Sequence, residues 1–258
     1  MLVRKDHHMD IELYEDERID RLMQSDLDII QSPSVFSFSL DALLLGDFAD
    51  VPKHNRAQII DLCSGNAVVP LLLSGKTKSK IIGVELQKRL VRMAERSIQL
   101  NHLEEQIQMI EGNLSDSYQW IKKDSVDVLT CNPPYFPVSD LSIRNPNEHL
   151  AIARHELYTN LDELFSIIGG LLKTKGRTYI VHRPDRFIEI IETMKKYRLA
   201  PKKIQFVYPK KTKEANILLI EAIKDGKKSG LKILPPLIVH TEDNQYTNEV
   251  KRIVYGKE

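Results

Sequence analysis

AQIIDLCSGNAVVPLLLSG, residues 57–75, decides the fold. A short apolar run ends in an acid, Asp61, and a turn around Gly65. A leucine-rich segment follows, in which Pro70 is tolerated only near the first turn of a helix. This is a strand, a glycine turn and a helix, and the alternation continues. KIIGVEL (80–86) reads as a second buried strand ending in Glu85, and QKRLVRMAERSIQLN (87–101) as an amphipathic helix. IQMIEGNL (107–114) and SVDVLTCNPPY (125–135) supply two more strands. After a polar, irregular stretch (140–160) come helix LDELFSIIGGLLK (161–173), strand RTYIVH (177–182) and helix PDRFIEIIETMKKY (184–197), with Pro184 at its start, where proline is welcome. Strand and helix alternating from 58 to about 197 predict an α/β fold, a mostly parallel twisted sheet with helices on both faces.

The flanks read differently. KIQFVYP (203–209), NILLIEAI (216–223) and LKILPPLIVH (231–240) are consecutive strand signals with a hairpin-like break at KDGKKSG, which predicts an antiparallel C-terminal edge. Upstream, SFSLDALLLGDFA (37–49) reads as a capped amphipathic helix with Ser39 as N-cap. Residues 36–258 are expected to form one domain, with residues 1–35 as an N-terminal appendage.

Composition narrows the class. The 258 residues are 42% hydrophobic and 28% charged, enough for a sizeable core. No run approaches the roughly 18 apolar residues of a membrane span, and the first ten residues lack the apolar stretch of a secretory signal. Two cysteines, Cys63 and Cys131, make no disulfide framework and no metal-ligand spacing, and small apolar filler explains both. A cytoplasmic, metal-free protein is expected. The net charge of +1 hides an uneven distribution. Residues 10–28 hold eight acids and two arginines, whereas residues 195–213 hold eight Lys or Arg and no acid. That basic run interleaves Tyr197, Phe206 and Tyr208 with its cations, which suits phosphate and base contacts as well as a solvated face. Lys202, Lys203, Lys210 and Lys211 are its candidate RNA-contact residues.

In an open α/β sheet, ligands bind at the carboxyl ends of the strands. Glu85 follows Asp61 by 24 residues, at the end of the second strand, where an acid is placed to accept hydrogen bonds from a ribose diol. A dinucleotide would need a G-x-G-x-x-G turn, and an acid at Asp61 would repel its pyrophosphate. A cationic, ribose-bearing ligand such as S-adenosylmethionine fits better. The fourth strand then stops at NPPYF, 132–136, a stiff turn carrying one carboxamide and two aromatic rings.

DLCSGNA, GVEL and NPPYF, in this order and spacing, resemble the Rossmann-like class I S-adenosylmethionine-dependent methyltransferases that act on planar amino groups. The whole of residues 30–250, including SFSLDALLLGDFA, ARHE (153–156) and PPL (235–237), is similar to the bacterial tRNA methyltransferases that make N6-methyladenosine at position 37 of a valine tRNA. The resemblance implies tRNA as partner, S-adenosyl-L-methionine as cofactor, and Asn132, Pro133, Pro134 and Tyr135 as the catalytic turn. Asn132 Oδ1 and the Pro133 carbonyl would each accept one N–H of an exocyclic amine, and Tyr135 would stack the base. The cofactor is expected against Phe38, Asp41, Asp61, Gly65, Asn66, Ala67, Glu85, Leu86, Asn113, Leu114 and Asn132. Asp41 is also readable as a favourable charge in a helix's first turn. Substrate contacts are expected from Tyr135, Phe136, Arg154 and His155. Two positions depart from the family pattern: Ala67 stands where glycine is usual, and Asn113 where aspartate is common. A protein-glutamine methyltransferase, or an RNA-binding protein that keeps the cofactor site without transferring a methyl, remains the alternative.

Overall fold

The computed structural model describes residues 11–35, 39–135 and 160–256. In chain order these form β1 (Arg18–Leu22), β2 (Leu27–Gln31), α1 (Leu40–Phe48), β3 (Gln58–Leu62), α2 (Val68–Ser74), β4 (Lys80–Glu85), α3 (Lys88–Leu100), β5 (Ile107–Glu111), β6 (Val126–Cys131), α4 (Leu161–Leu171), β7 (Leu172–His182), α5 (Phe187–Lys196), β8 (Leu199–Lys210), β9 (Ile217–Lys224), β10 (Lys232–Ile233), β11 (Leu237–His240) and α6 (Asn248–Tyr255). Short 3-10 turns at Leu114–Gln119 and Pro184–Arg186 complete the set.

Nine strands make one sheet in the order β10-β8-β9-β7-β6-β3-β4-β5, with β11 beside β10 on the outer edge of β8. Strands β3 to β7 pair in parallel, and β9 runs antiparallel between β7 and β8. The mostly parallel sheet with an antiparallel element near its C-terminal edge agrees with the reading of the sequence. The hairpin-like break does not. Both edges of β9 are already occupied, so after Lys224 the chain crosses to the free edge of β8, where β10 and β11 lie parallel to it.

The period-2 alternation of buried strands divides the core. Ile59, Val128, Tyr179 and Val181 pack on one face with leucines of α1 and α2 and with Val250 and Ile253 of α6. Ile60, Leu62, Leu129 and Ile180 pack on the other with Phe165 and Ile168 of α4 and Ile190 and Met194 of α5.

The described part of the N-terminal segment, residues 11–35, is built into this domain. Strands β1 and β2 form a hairpin whose Leu22 and Ile29 join the first core face, while Ile30 and Val35 pack on Leu90 and Met93 of α3. Asp16 clamps it from outside, accepting two hydrogen bonds from Arg89 at 2.7 and 2.8 Å. The hydroxyls of Ser32 and Ser34 also donate to Asp16.

After β5 the chain returns across the sheet to lay β6 on the far side of β3. The direction in which strands are added therefore reverses between β3 and β6, which opens a crevice at their carboxyl ends.

Candidate active site

Four strand ends meet at this crevice. At the end of β3, Cys63, Gly65 and Ala67 all have positive φ, at 57°, 57° and 68°. Alternating left-handed residues turn successive backbone N–H groups inward, which makes a concave anion site. The anion is the chain's own: Glu85, ending β4, accepts Gly65 N–H at 2.9 Å through Oε2 and Gln87 N–H at 2.8 Å through Oε1. Burial pushes its pKa up, and the backbone N–H groups of Gln87, Gly65 and Leu86 oppose that. Glu85 thus fixes the glycine turn to the neighbouring strand. Each of its oxygens retains acceptor capacity for a further hydroxyl. A Cβ built on Gly65 would meet nothing within 4 Å, so open space adjoins this turn.

Asp61 sits one strand in. It is 1% exposed and pairs in register with Thr130 of β6, whose hydroxyl donates to Asp61 Oδ1 at 2.6 Å. Burial raises its pKa to about 7; the Thr130 hydrogen bond opposes this and the Glu85 charge adds to it. A buried acid of this kind is suited to a cationic ligand, which would restore its charge. The open space by Gly65, the Glu85 carboxylate and Asp61 therefore fit a ligand with a ribose diol and a positive centre.

Asn66 is 4% exposed, and its Nδ2 donates to Ile30 O at 3.0 Å, tying the glycine turn to the N-terminal hairpin. Ala67 is fully buried and begins α2 in the left-handed region, a conformation costing roughly 1–2 kcal/mol for a residue with a Cβ. Leu86 is half-buried beside Glu85, and Leu114 is buried after β5. The Asn113 amide oxygen accepts Ser115 N–H at 3.1 Å and so caps the 3-10 turn that bounds this side.

The Asn132–Tyr135 turn leaves β6 at Cys131. Pro133 is buried, and Asn132, Pro134 and Tyr135 are half-buried. The Tyr135 hydroxyl lies 2.8 Å from Asp41 Oδ2 on α1 and 2.5 Å from Asn132 Oδ1. One phenol proton serves only one acceptor. Either Asp41 carries a proton, or the Asn132 carboxamide is turned so that its NH2 group donates to the phenol. Burial raises the Asp41 pKa, while the Tyr135 hydrogen bond and the nearby Arg183 charge hold it down. Burial foremost, then the Asp41 charge, pushes Tyr135 well above the ordinary phenol range, so its hydroxyl stays protonated. Asp41, expected against the cofactor, is hydrogen-bonded to Tyr135 of the Asn132–Tyr135 turn.

His182, at the end of β7, escapes the sequence reading. Its ring lies 5.1 Å from that of Tyr135 at 56°. The signal was the last residue of RTYIVH, an ionisable group ending a buried strand, but only the pairing of β7 with β6 brings it to the site.

The four lysines stand at two levels, Lys202 and Lys203 within β8 and Lys210 and Lys211 at its end. Lys203 pairs across the sheet with Glu221, which pairs with Tyr179, three residues short of His182. Its Nζ is 2.6 Å from the buried Glu221 carboxylate, an ion pair within the sheet. Lys202 Nζ donates to the carbonyls of Lys227 and Ser229, bracing the β9–β10 connection. Phe206 shares the level of His182. Lys210 lies about 13 Å beyond that level at ~3.3 Å per residue. It donates to Glu242 O at 3.1 Å, and Lys211 is exposed next to it. The run is thus spread along β8, because a strand carries its residues away from one another. Phe38, Phe136, Arg154 and His155 lie outside the described residues.

Among the described residues no group of three or more His, Cys, Asp or Glu could hold a metal ion, and no helix is long and apolar enough to cross a membrane.

Comparison with known proteins gives relatives and structural neighbours. The chain is 23% identical over 225 residues to the tRNA1(Val) (adenine(37)-N6)-methyltransferase of Cytophaga hutchinsonii, covering 87% of this chain and 91% of that one. It is 26% identical to the enzyme of the same name from Actinobacillus pleuropneumoniae serotype 7, over 83% and 86% of the two chains. Among solved structures, one described as a predicted O-methyltransferase from Agrobacterium tumefaciens superposes with a TM-score of 0.65 at 21% identity, over 84% of this chain and 96% of that chain. The geranyl diphosphate C-methyltransferase of Streptomyces coelicolor A3(2), solved with S-adenosyl-L-homocysteine, superposes at 0.55 and 15% identity, over 71% and 78%. These likenesses are of fold. Residues 26–196 match the family model described as methyltransferase small domain, and the chain belongs to that family.

Proposed function

We propose that the protein transfers the methyl group of S-adenosyl-L-methionine to the exocyclic N6 of an adenine in tRNA, at position 37 of a valine tRNA. The observation that carries the reading is the placing of Asn132 and Tyr135 one strand from the Asp61–Gly65–Glu85 cradle, in a chain that spans 91% of a relative bearing that activity in its name. When bound, the cofactor supplies an electrophilic methyl on a sulfonium. Glu85 would hold its ribose and Asp61 would face its positive end, with the Gly65 turn leaving room between.

The amine of adenine is a poor nucleophile because its lone pair is delocalised into the ring. Two acceptors on its two N–H groups draw the nitrogen toward a tetrahedral shape and aim the lone pair. With the Asn132 carboxamide turned so that Nδ2 meets the phenol of Tyr135, Oδ1 is left free to accept from the amine, and the Pro133 carbonyl accepts the other proton. No base is needed before attack, since the proton leaves after the nitrogen has become cationic. Positioning is the main effect, with an upper range of about 7–11 kcal/mol for ideally oriented partners.

Incubating the protein and labelled cofactor with total bacterial tRNA, with and without Asn132→Ala, tests the reading. Digestion should yield labelled N6-methyladenosine with the unaltered protein alone. Label on protein, or on another nucleoside, would overturn it.

A further inference from the structure

The end of β7 holds a polar atom that nothing among the described residues uses. His182 is 1% exposed. Its Nδ1 accepts the Arg183 N–H at 2.8 Å, so the ring proton belongs to Nε2. Nε2 is buried and has no hydrogen-bond partner among the described residues. Buried N–H groups are nearly always paired, and one left bare at a site asks for a ligand.

The sheet order says which ligand. The glycine turn and Glu85 end β3 and β4; the catalytic turn ends β6; His182 ends β7, on the side of β6 away from β3 and β4. Its ring contacts Tyr135, whose hydroxyl is bound to Asn132. The donor thus lies on the substrate side of the carboxamide. Adenine presents an exocyclic amine flanked by two ring acceptors, N1 and N7. An acceptor pair for the amine with one donor beside it is complementary to that edge. Guanine has a carbonyl in place of the amine and would set oxygen against oxygen at Asn132.

We propose that the Nε2–H of His182 donates to a ring nitrogen flanking the target amine and so selects adenine. This rests on the function proposed above. Burial foremost lowers the pKa of the imidazole to about 4, so the ring is neutral near pH 7 and carries a single N–H.

The test uses an RNA hairpin carrying adenosine, 1-deazaadenosine or 7-deazaadenosine at the target position. The unaltered enzyme should lose at least tenfold in kcat/KM on one of the two analogues. His182→Phe should lose a similar factor on adenosine and nothing further on that analogue. His182→Gln, whose amide can offer an N–H, should recover part of the loss. Cofactor affinity measured by calorimetry should be unchanged in both variants, which shows that they fold. Full activity in His182→Phe, no effect of either analogue, or an equal loss on all three RNAs would overturn the inference. An unaltered enzyme that fails to methylate the adenosine hairpin would remove the adenine reading itself, and this inference with it.

Discussion

The Tyr135 hydroxyl and the Asp41 carboxylate, 94 residues apart in the chain, meet at 2.8 Å beside the Asn132 carboxamide. A helix that precedes the glycine turn thus reaches the Asn132–Tyr135 turn through a phenol. Losing that hydroxyl leaves the carboxamide without its orienting partner. Tyr135→Phe should lower kcat by about 5- to 150-fold, corresponding to the roughly 1–3 kcal/mol of an unmade buried hydrogen bond. Asp41→Asn should act in the same direction, and neither should change the dissociation constant for the cofactor. A Tyr135→Phe enzyme with unaltered kcat would show that the ring alone matters.

Asp61 links stability and ligand binding to pH. Its folded pKa of about 7 lies above the ordinary value of 3.8. Between these values the folded chain keeps a proton that the unfolded chain has released. The unfolded state then binds fewer protons, so stability falls as pH rises through this window. Glu85 and Asp41, also shifted upward, act in the same direction. Without cofactor, the melting temperature should be lower at pH 8 than at pH 6, and Asp61→Asn should flatten the difference. Cofactor binding at pH 6 should release up to one proton, seen as a binding enthalpy that depends on the ionisation heat of the buffer. Identical enthalpies in phosphate and Bis-Tris, which both take up protons at this pH, would refute the linkage.

Ala67 occupies φ +68° with its side chain wholly buried. Ala67→Gly removes the left-handed strain but adds freedom to the unfolded chain, so stability should change by less than ~1 kcal/mol. Ala67→Val keeps the strain and adds buried bulk, and should cost more than ~2 kcal/mol. Chemical denaturation of the three proteins measures both. A valine variant as stable as the parent would mean that the turn relaxes freely.

What could be read before the structure was whatever local chemistry announces. The glycine turn, the strand-end acids and the proline stop at 133–134 each declare their place through backbone limits and period. The hairpin at residues 18–31 did not, because its own charges pair within it, Arg18 with Asp20 and Arg21 with Asp28, while the contacts that seat the N-terminal segment lie far along the chain. Arg89 for Asp16 is 73 residues away, and Ile30 O for Asn66 is 36. Helix α6 was missed as well; it is eight residues long and buries only Val250 and Ile253. The same blindness applies to His182 and Asp41. Their identities were visible, but their roles depend on which strand lies next to which. The basic run shows the same dependence on the fold: eight cations close in sequence are spread along a strand of 12 residues and beyond.

That spread makes the last prediction a comparison of two groups of lysines. Lys203 lies on the buried Glu221, which Arg177 also approaches at 3.2 Å, and Lys202 caps two carbonyls. Lys203→Ala should therefore lower stability by about 1–3 kcal/mol, with Arg177 limiting the loss. The Lys202→Ala and Lys203→Ala pair should leave the salt dependence of tRNA binding unchanged. Lys210 ends β8, and Lys211 and Lys213 follow it, at the carboxyl end of the sheet, where the Asn132–Tyr135 turn lies. Lys211 and Lys213 are exposed, and Lys210 spends one donor on Glu242 O and keeps two. Replacing these three by alanine should raise the KM for tRNA and lower the magnitude of the log–log salt slope by up to about 0.7 for each single-strand phosphate that is no longer neutralised. Melting temperature should barely move. The readout is KM against salt concentration for the parent and both sets of variants. If the Lys202 and Lys203 variants shift the slope and the other three do not, RNA docks along the sheet edge rather than above the catalytic turn.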